Sequence, residues 1–162
     1  MTTRHALALA LVLAATPAAA APTETQVQTL SAARAEYLAA RRAMDRQDWD
    51  GAIACLRNAE RLDPGSADVQ NLLGYAHRQK GDVDASFRYY ERALQLNPYH
   101  LGAHEYIGRS YLASGKPEKA AEHMAKLEEY CMATCPERDS LRRAITEGTP
   151  WKPGARGGRA AY

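Results

Sequence analysis

The chain is poor in several things that would fix its class at once. Phenylalanine occurs once, at Phe87, and cysteine three times, at Cys55, Cys131 and Cys135, in 162 residues. Three cysteines cannot build a disulfide-dense scaffold, so the fold must rest on a packed apolar core. Charge of one sign is also scarce: 21 Lys and Arg against 19 Asp and Glu leave a formal charge of +2. So small an excess does not attract nucleic acid or an anionic membrane by its field alone, and neither partner is expected. There is no phosphate-binding glycine loop and no nucleophile elbow. The reading is therefore non-enzymatic, with no catalytic residue and no cofactor. The longest uninterrupted apolar run, 6–15, is about half of the roughly twenty residues a bilayer span requires, so no stable membrane insertion is expected. Apolar residues make up 46% and charged residues 25%, which suits a globular chain and argues against global disorder.

That apolar run belongs to a targeting segment. Arg4 and His5 precede it, Thr16-Pro17 breaks it, and Ala18-Ala19-Ala20 gives a small-x-small cleavage pattern. Residues 1–20 are read as a signal peptide cut after Ala20. No cysteine follows the run, so a lipid anchor is not expected. The alanine-rich, simple signal points to a small exported bacterial protein and to the periplasm, an oxidising compartment.

The rest of the chain is organised by a period. Ala59, Ala93 and Leu127 are 34 apart, as are Ala52, Ser86 and Ala120, then Ala40, Gly74 and Gly108, then Asp48, Asp82 and Lys116. Pro64 and Pro98 keep the step, and Met132 stands at the third place. Between the small residues lie large apolar ones, such as Leu73, Val83, Phe87, Tyr90 and Leu94. The spacing predicts two helices of about a dozen residues per period, joined by a tight turn at Gly81-Asp82.

A helix-turn-helix recurring every 34 residues resembles the tetratricopeptide repeat family, through Leu73-Gly74, Gly81-Asp82, Ala93 and Pro98. The resemblance implies an all-α, right-handed superhelix (a solenoid) of three helical hairpins, 33–66, 67–100 and 101–134. Residues 21–32 form an extension, with helix starting near Val27 or Leu30. The first repeat departs from the pattern at Ala39-Ala40, and its second helix is expected from about Asp50. PERDSLRRAI, with Leu141, Ala144 and Ile145 on one face, reads as a capping helix over 136–148 that covers the last repeat's packing face. Residues 149–162, with Lys152, Arg156 and Arg159, read as a disordered basic tail.

In this family the first helices line an inner groove that meets peptides. By register the exposed stripe holds Arg34, Tyr37, Arg41, Met44 and Asp45, then Asp68, Asn71, Tyr75, Arg78 and Gln79, then Glu105, Arg109 and Leu112. The candidate partner-binding set is Arg34, Tyr37, Arg41, Asn71, Tyr75, Arg78, Glu105 and Arg109. Tyr and Arg bury area and bond polar backbone, which suits a protein or peptide partner. A solvated helix face carries the same residue types, and both readings stand at this point. The family's carboxylate clamp for chaperone tails is not reproduced: its places hold Tyr37, Arg41, Leu72, Gly102 and Tyr106.

Cys131 and Cys135 are four apart. An ideal helix holds such a pair rather too far apart for a disulfide, but Pro136 lets the chain bend and close one. The pair is read as a staple that fixes the cap. The alternative is a thiol-redox or copper-handling factor, since Cys131, Cys135, Met132, Met124 and His123 are the donor types that suit Cu(I). Cys55 is expected to be a small buried hydrophobe. His100 and His104, one helical turn apart, are read as surface polar residues, and no metal site is assigned. The expected function is a protein–protein interaction module, a scaffold in the bacterial cell envelope.

Overall fold

The computed structural model describes residues 21–148, so the expected signal peptide, 1–20, and the expected basic tail, 149–162, lie outside the described residues. Seven helices follow one another: α1 (Glu24–Asp45), α2 (Trp49–Leu62), α3 (Ala67–Gln79), α4 (Val83–Leu96), α5 (Leu101–Ala113), α6 (Pro117–Tyr130) and α7 (Pro136–Glu147). No strand occurs among the described residues. α1 pairs with α2, α3 with α4 and α5 with α6, while α2 packs on α3 and α4 on α5. This is the all-α solenoid of three hairpins that the period implies.

The period is visible in the helix ends. Asp48 and Asp82, 34 apart, cap α2 and α4 by accepting the amides of Gly51 and Ala85. Ser66 and His100, also 34 apart, cap α3 and α5 in the same way. Each cap satisfies an amide that the helix itself leaves without a partner. Lys116 gives α6 no side-chain cap, and Pro117 begins that helix with a residue that has no amide to satisfy. The three intra-hairpin turns place Gln47, Gly81 and Gly115 at φ of 60°, 87° and 70°. Glycine adopts this region freely, whereas Gln47 carries a Cβ into it at a cost.

Two starts differ from expectation. α1 begins at Glu24, earlier than Val27 or Leu30, because Thr23 and Gln26 form a reciprocal capping box. α2 begins at Trp49, one residue early, because Asp48 is its cap. Cys55 is partly exposed, not buried, and its thiol pKa is raised, by burial first and then by Glu36.

The apolar core has two parts. One runs through the first two hairpins into α5 and includes Leu56, Leu72, Leu73, Tyr90 and Ile107. The other holds Met124, Leu127 and Leu141, with Leu101, Leu112, Cys131 and Ile145 against it. Leu141 comes from α7, which packs mainly on α5 and less on α6. Leu141 and Ala144 are buried and Ile145 partly so, which is the expected face of the cap.

Candidate functional site

α1, α3 and α5 carry the eight candidate groove residues, and the period sets six of them in two rows. Tyr37, Asn71 and Glu105 are 34 apart, and so are Arg41, Tyr75 and Arg109. Arg34 and Arg78 flank the rows.

At the amino end Arg34 is exposed, and Tyr37 and Arg41 are half-buried. Arg34 and Tyr37 border a cleft of about 210 Å³ lined also by Leu30, Asp68 and Val69. The Tyr37 hydroxyl pKa is raised, by burial first and then by the Asp68 carboxylate, with Arg41 and Arg34 opposing.

In the middle, Asn71, Tyr75 and Arg78 are buried. The Tyr75 ring lies 6.0 Å from that of Trp49 and 5.1 Å from that of Tyr106, which is itself 6.0 Å from Tyr90. An aromatic ladder therefore crosses from the first hairpin to the third. Burial raises the Tyr75 and Tyr90 hydroxyls and lowers the Arg78 guanidinium, which faces Tyr90.

At the carboxyl end the cap joins the site. The Ser140 hydroxyl donates to Glu105 Oε1 at 2.6 Å and accepts from Arg109 Nη1 at 3.0 Å. The Arg109 guanidinium also stands 3.9 Å from Glu105 Oε1. Burial raises the Glu105 carboxyl, and the Ser140 hydrogen bond and Arg109 oppose it. Glu105 and Arg109 were expected on an open stripe. The structure ties both into the contact between α5 and α7, because α7 seats Leu141 over Gly108 between them. Burial likewise replaces solvation at Asn71, Tyr75 and Arg78. Trp49 and Ser140 were not anticipated at the site, and Tyr106 was read only as one of the places of the clamp. Trp49 begins α2, outside the groove-lining helices, and Ser140 lies beyond the repeats.

The sulfur and imidazole donors part company. Cys131 and Cys135 stand as a disulfide with Cα atoms 5.8 Å apart. The Cys135 sulfur also caps α7 by accepting the Arg138 amide at 3.4 Å. The Arg138 guanidinium in turn donates to the Met132 and Ala133 carbonyls, so the short loop is held from both sides. Met124 is buried and Met132 exposed. His123 Nδ1 turns instead to His104 Nδ1 at 2.9 Å, and His104 Nε2 lies 2.9 Å from the Pro98 carbonyl. A carbonyl only accepts, so neutral His104 carries its proton on Nε2 and accepts from His123 through Nδ1. Burial first lowers both pKa values, that of His123 to about 4, and the His104 ring adds to the effect on His123. The pair His100 and His104 does not converge on an ion, because His100 spends Nδ1 on the Ala103 amide and Nε2 on Asp68. Among the described residues no group of three or more His, Cys, Asp or Glu is arranged to hold a metal.

Comparison with known proteins places this geometry. A family profile described as "Tetratricopeptide repeat" matches residues 37–100 and 88–130. Among solved structures the chain is similar to MamA, with 25% identity, a TM-score of 0.59, and 63% of this chain and 59% of that one covered. It is also similar to the first TPR of Spaghetti (RPAP3) bound to the HSP90 peptide SRMEEVD, with 18% identity, a TM-score of 0.65, and 73% and 93% covered. Among curated proteins it is similar to the Homo sapiens protein O-mannosyl-transferase TMTC3, at 24% identity over 75 residues. That match takes in 46% of this chain and 8% of the relative, so the chain spans a small part of that relative's length.

Proposed function

The chain belongs to the tetratricopeptide repeat family, and from that premise we propose that it binds a protein or peptide partner in its concave groove. The fold is that of a protein–protein interaction scaffold. The transferase activity in the TMTC3 name belongs to that protein, of which the match covers 8%. No helix among the described residues is long and apolar enough to cross a membrane.

The observation that carries the groove reading is the ladder Trp49–Tyr75–Tyr106, with Arg78 and Arg109 beside Tyr75. Aromatic rings beside guanidinium groups are the side-chain types that dominate interface energetics. A TPR domain of the same fold was solved with a peptide, which supports the mode without transferring that peptide to this chain. Export to a bacterial periplasm, with the module serving an envelope assembly, is part of the same proposal. It rests on Arg4, the apolar run 6–15 and Ala18-Ala19-Ala20.

A photo-crosslinking residue placed at Tyr37, in the groove, and separately at the exposed Arg92 on α4 tests the site in the compartment. The groove position should capture a partner that Arg92 does not. Capture from Arg92 alone moves the site elsewhere. The amino-terminal sequence of the protein recovered from that compartment tests the cut after Ala20.

A further inference from the structure

We propose that the cleft between α4, α5 and α6 is a second recognition site, which takes an aromatic side chain bearing an N–H or O–H donor, Trp or Tyr, from a partner polypeptide. None of its lining residues belongs to the groove set, so the inference does not rest on the groove reading.

The cleft has a volume of about 340 Å³, within the range of ligand clefts. Leu94 and Pro98 supply aliphatic surface at the end of α4, and His104, His123 and Tyr130 supply rings from α5 and α6. The His104 ring stands 5.7 Å from Tyr130 and 5.2 Å from His123, tilted to both. A guest ring set at a tilt to such walls gains attraction beyond the area it buries. Glu122 and Lys126 complete the lining. Each already has an ion-pair partner on α6, Lys119 at 3.0 Å and Glu129 at 2.9 Å. The rim charges are balanced, so the cleft favours a neutral guest.

His104 sets the hydrogen-bonding character of the cleft. Its Nε2 donates to the Pro98 carbonyl at 2.9 Å. A neutral imidazole carries one N–H, so His104 Nδ1 accepts. The donor to it is His123 Nδ1, 2.9 Å away. His123 has then spent its own N–H, and its Nε2 is a lone pair with no hydrogen-bond partner among the described residues. A backbone carbonyl thus fixes, through two rings, that the unspent nitrogen accepts. Burial first, and then the His104 ring, hold the His123 pKa at about 4, so no proton occupies that nitrogen at neutral pH. An aliphatic guest would leave the acceptor without a donor, and a carboxylate would set acceptor against acceptor. An indole N–H or a phenol O–H satisfies it while the ring meets the walls.

The surface continues past the cleft. Tyr99 is 67% exposed, and its ring lies 4.8 Å from that of Tyr130. A polypeptide anchored by one aromatic side chain covers Tyr99 as well, whereas a free small ring does not. Interfaces concentrate their energy in this way, on an aromatic anchor ringed by contacts that exclude water.

Long-range proton–nitrogen correlation spectra of the imidazoles read each tautomer in the full chain. His104 should carry its proton on Nε2 and His123 on Nδ1. N-acetyltryptophanamide should shift the His123 Nε2 resonance and the Tyr130 ring signals. Its indole N-methyl derivative lacks the donor and should bind about three- to tenfold more weakly. His104→Phe frees His123 to move its proton to Nε2, and the preference for the N–H probe should vanish with His123 still in place. His123→Phe keeps a ring in the wall and should lose the same preference, so one variant serves if the other does not fold. Unchanged circular dichroism is the fold control. Equal affinity of the two probes for the native chain overturns the inference, as does a native His123 with its proton on Nε2. Shifts confined to groove residues such as Tyr37 overturn it too. Indole bound more tightly than N-acetyltryptophanamide assigns the cleft to a free small ring and overturns the polypeptide partner.

Discussion

The second and third hairpins share a period and differ in how they close their cores. In the second, the missing side chain of Gly74 is filled by the Tyr90 ring, 2.6 Å from where a Cβ would stand. Tyr90 is fully buried and belongs to the same hairpin. In the third, Met124 stands one period after Tyr90, and the space over Gly108 is taken by Leu141 from α7. The second hairpin completes itself and the third is completed from outside the repeat. A regular sequence period therefore does not guarantee equal independence of its units. Stability in a stack depends on who supplies the last side chain.

The largest break in this comparison should come from Leu141→Ala. Leu141 is fully buried in the smaller core cluster, and its loss should cost about 2–5 kcal/mol. Hydrogen exchange should show faster opening in α5, α6 and α7, with α1–α4 little changed. Uniform loss across all helices would mean that the third hairpin is not separately completed.

The glycine pair comes next. Gly74→Ala forces a Cβ into a ring that is buried on all sides, at a cost of about 1–3 kcal/mol. Gly108→Ala meets Leu141 Cδ2 at 2.7 Å, the movable end of an aliphatic side chain on the cap. It should cost less, partly offset by the better helix propensity of alanine. Chemical denaturation of both variants checks the order, and equal costs would erase the distinction.

The histidine pair sharpens the comparison through pH. His104 and His123 have folded pKa values below the usual 6.5, so the unfolded chain binds their protons more readily. Stability is thus fully present above about pH 6.5 and falls as pH drops toward about 4, the His123 value. His100, Lys119 and Lys126 oppose protonation of the pair, while the Pro98 carbonyl and Glu122 favour it. Discounted for partial solvent access, the loss should be on the order of 1 kcal/mol. The double change His104→Gln with His123→Gln should flatten that part of the melting profile between pH 7 and 5. An unaltered profile would place the acid sensitivity at His77, whose pKa is also lowered, by burial first.

The smallest effect belongs to the first hairpin. Gln47→Gly removes the Cβ from a left-handed turn and should stabilise by about 0.5–1 kcal/mol, offset in part by the entropy glycine adds to the unfolded chain. A melting temperature that falls would show that the Gln47 side chain contributes something its turn geometry hides.

Much of this fold could be read from the chain. The period placed the six helices of the three hairpins and their small packing residues, because close helix approach admits few residue types, and the cap was legible from the shared face of Leu141, Ala144 and Ile145. The start of α1 was also written in the chain, as the pair Thr23 and Gln26, but a capping box is a local signal that the period does not carry. The groove residues were legible as residues and not as a surface. Register alone put Glu105 on an open stripe, whereas Ser140, which has no place in the period, hydrogen-bonds it. The histidines show the same limit. His100 and His104 are neighbours along the helix, yet one caps α5 and the other meets His123, nineteen positions away. Spacing within one helix cannot show which ring a neighbouring helix presents.

The early start of α1 also gives the molecule a polarity. α7 turns Arg142, Arg143, Thr146 and Glu147 outward, so the stack ends there in a polar surface. At the other end Val27, Leu30 and Leu38 remain exposed on α1, at 52%, 54% and 38%. The described stack is sealed at one terminus and open at the other. Further helical units could be added at α1 without displacing any helix already in place, whereas at α7 they would first have to remove the seal.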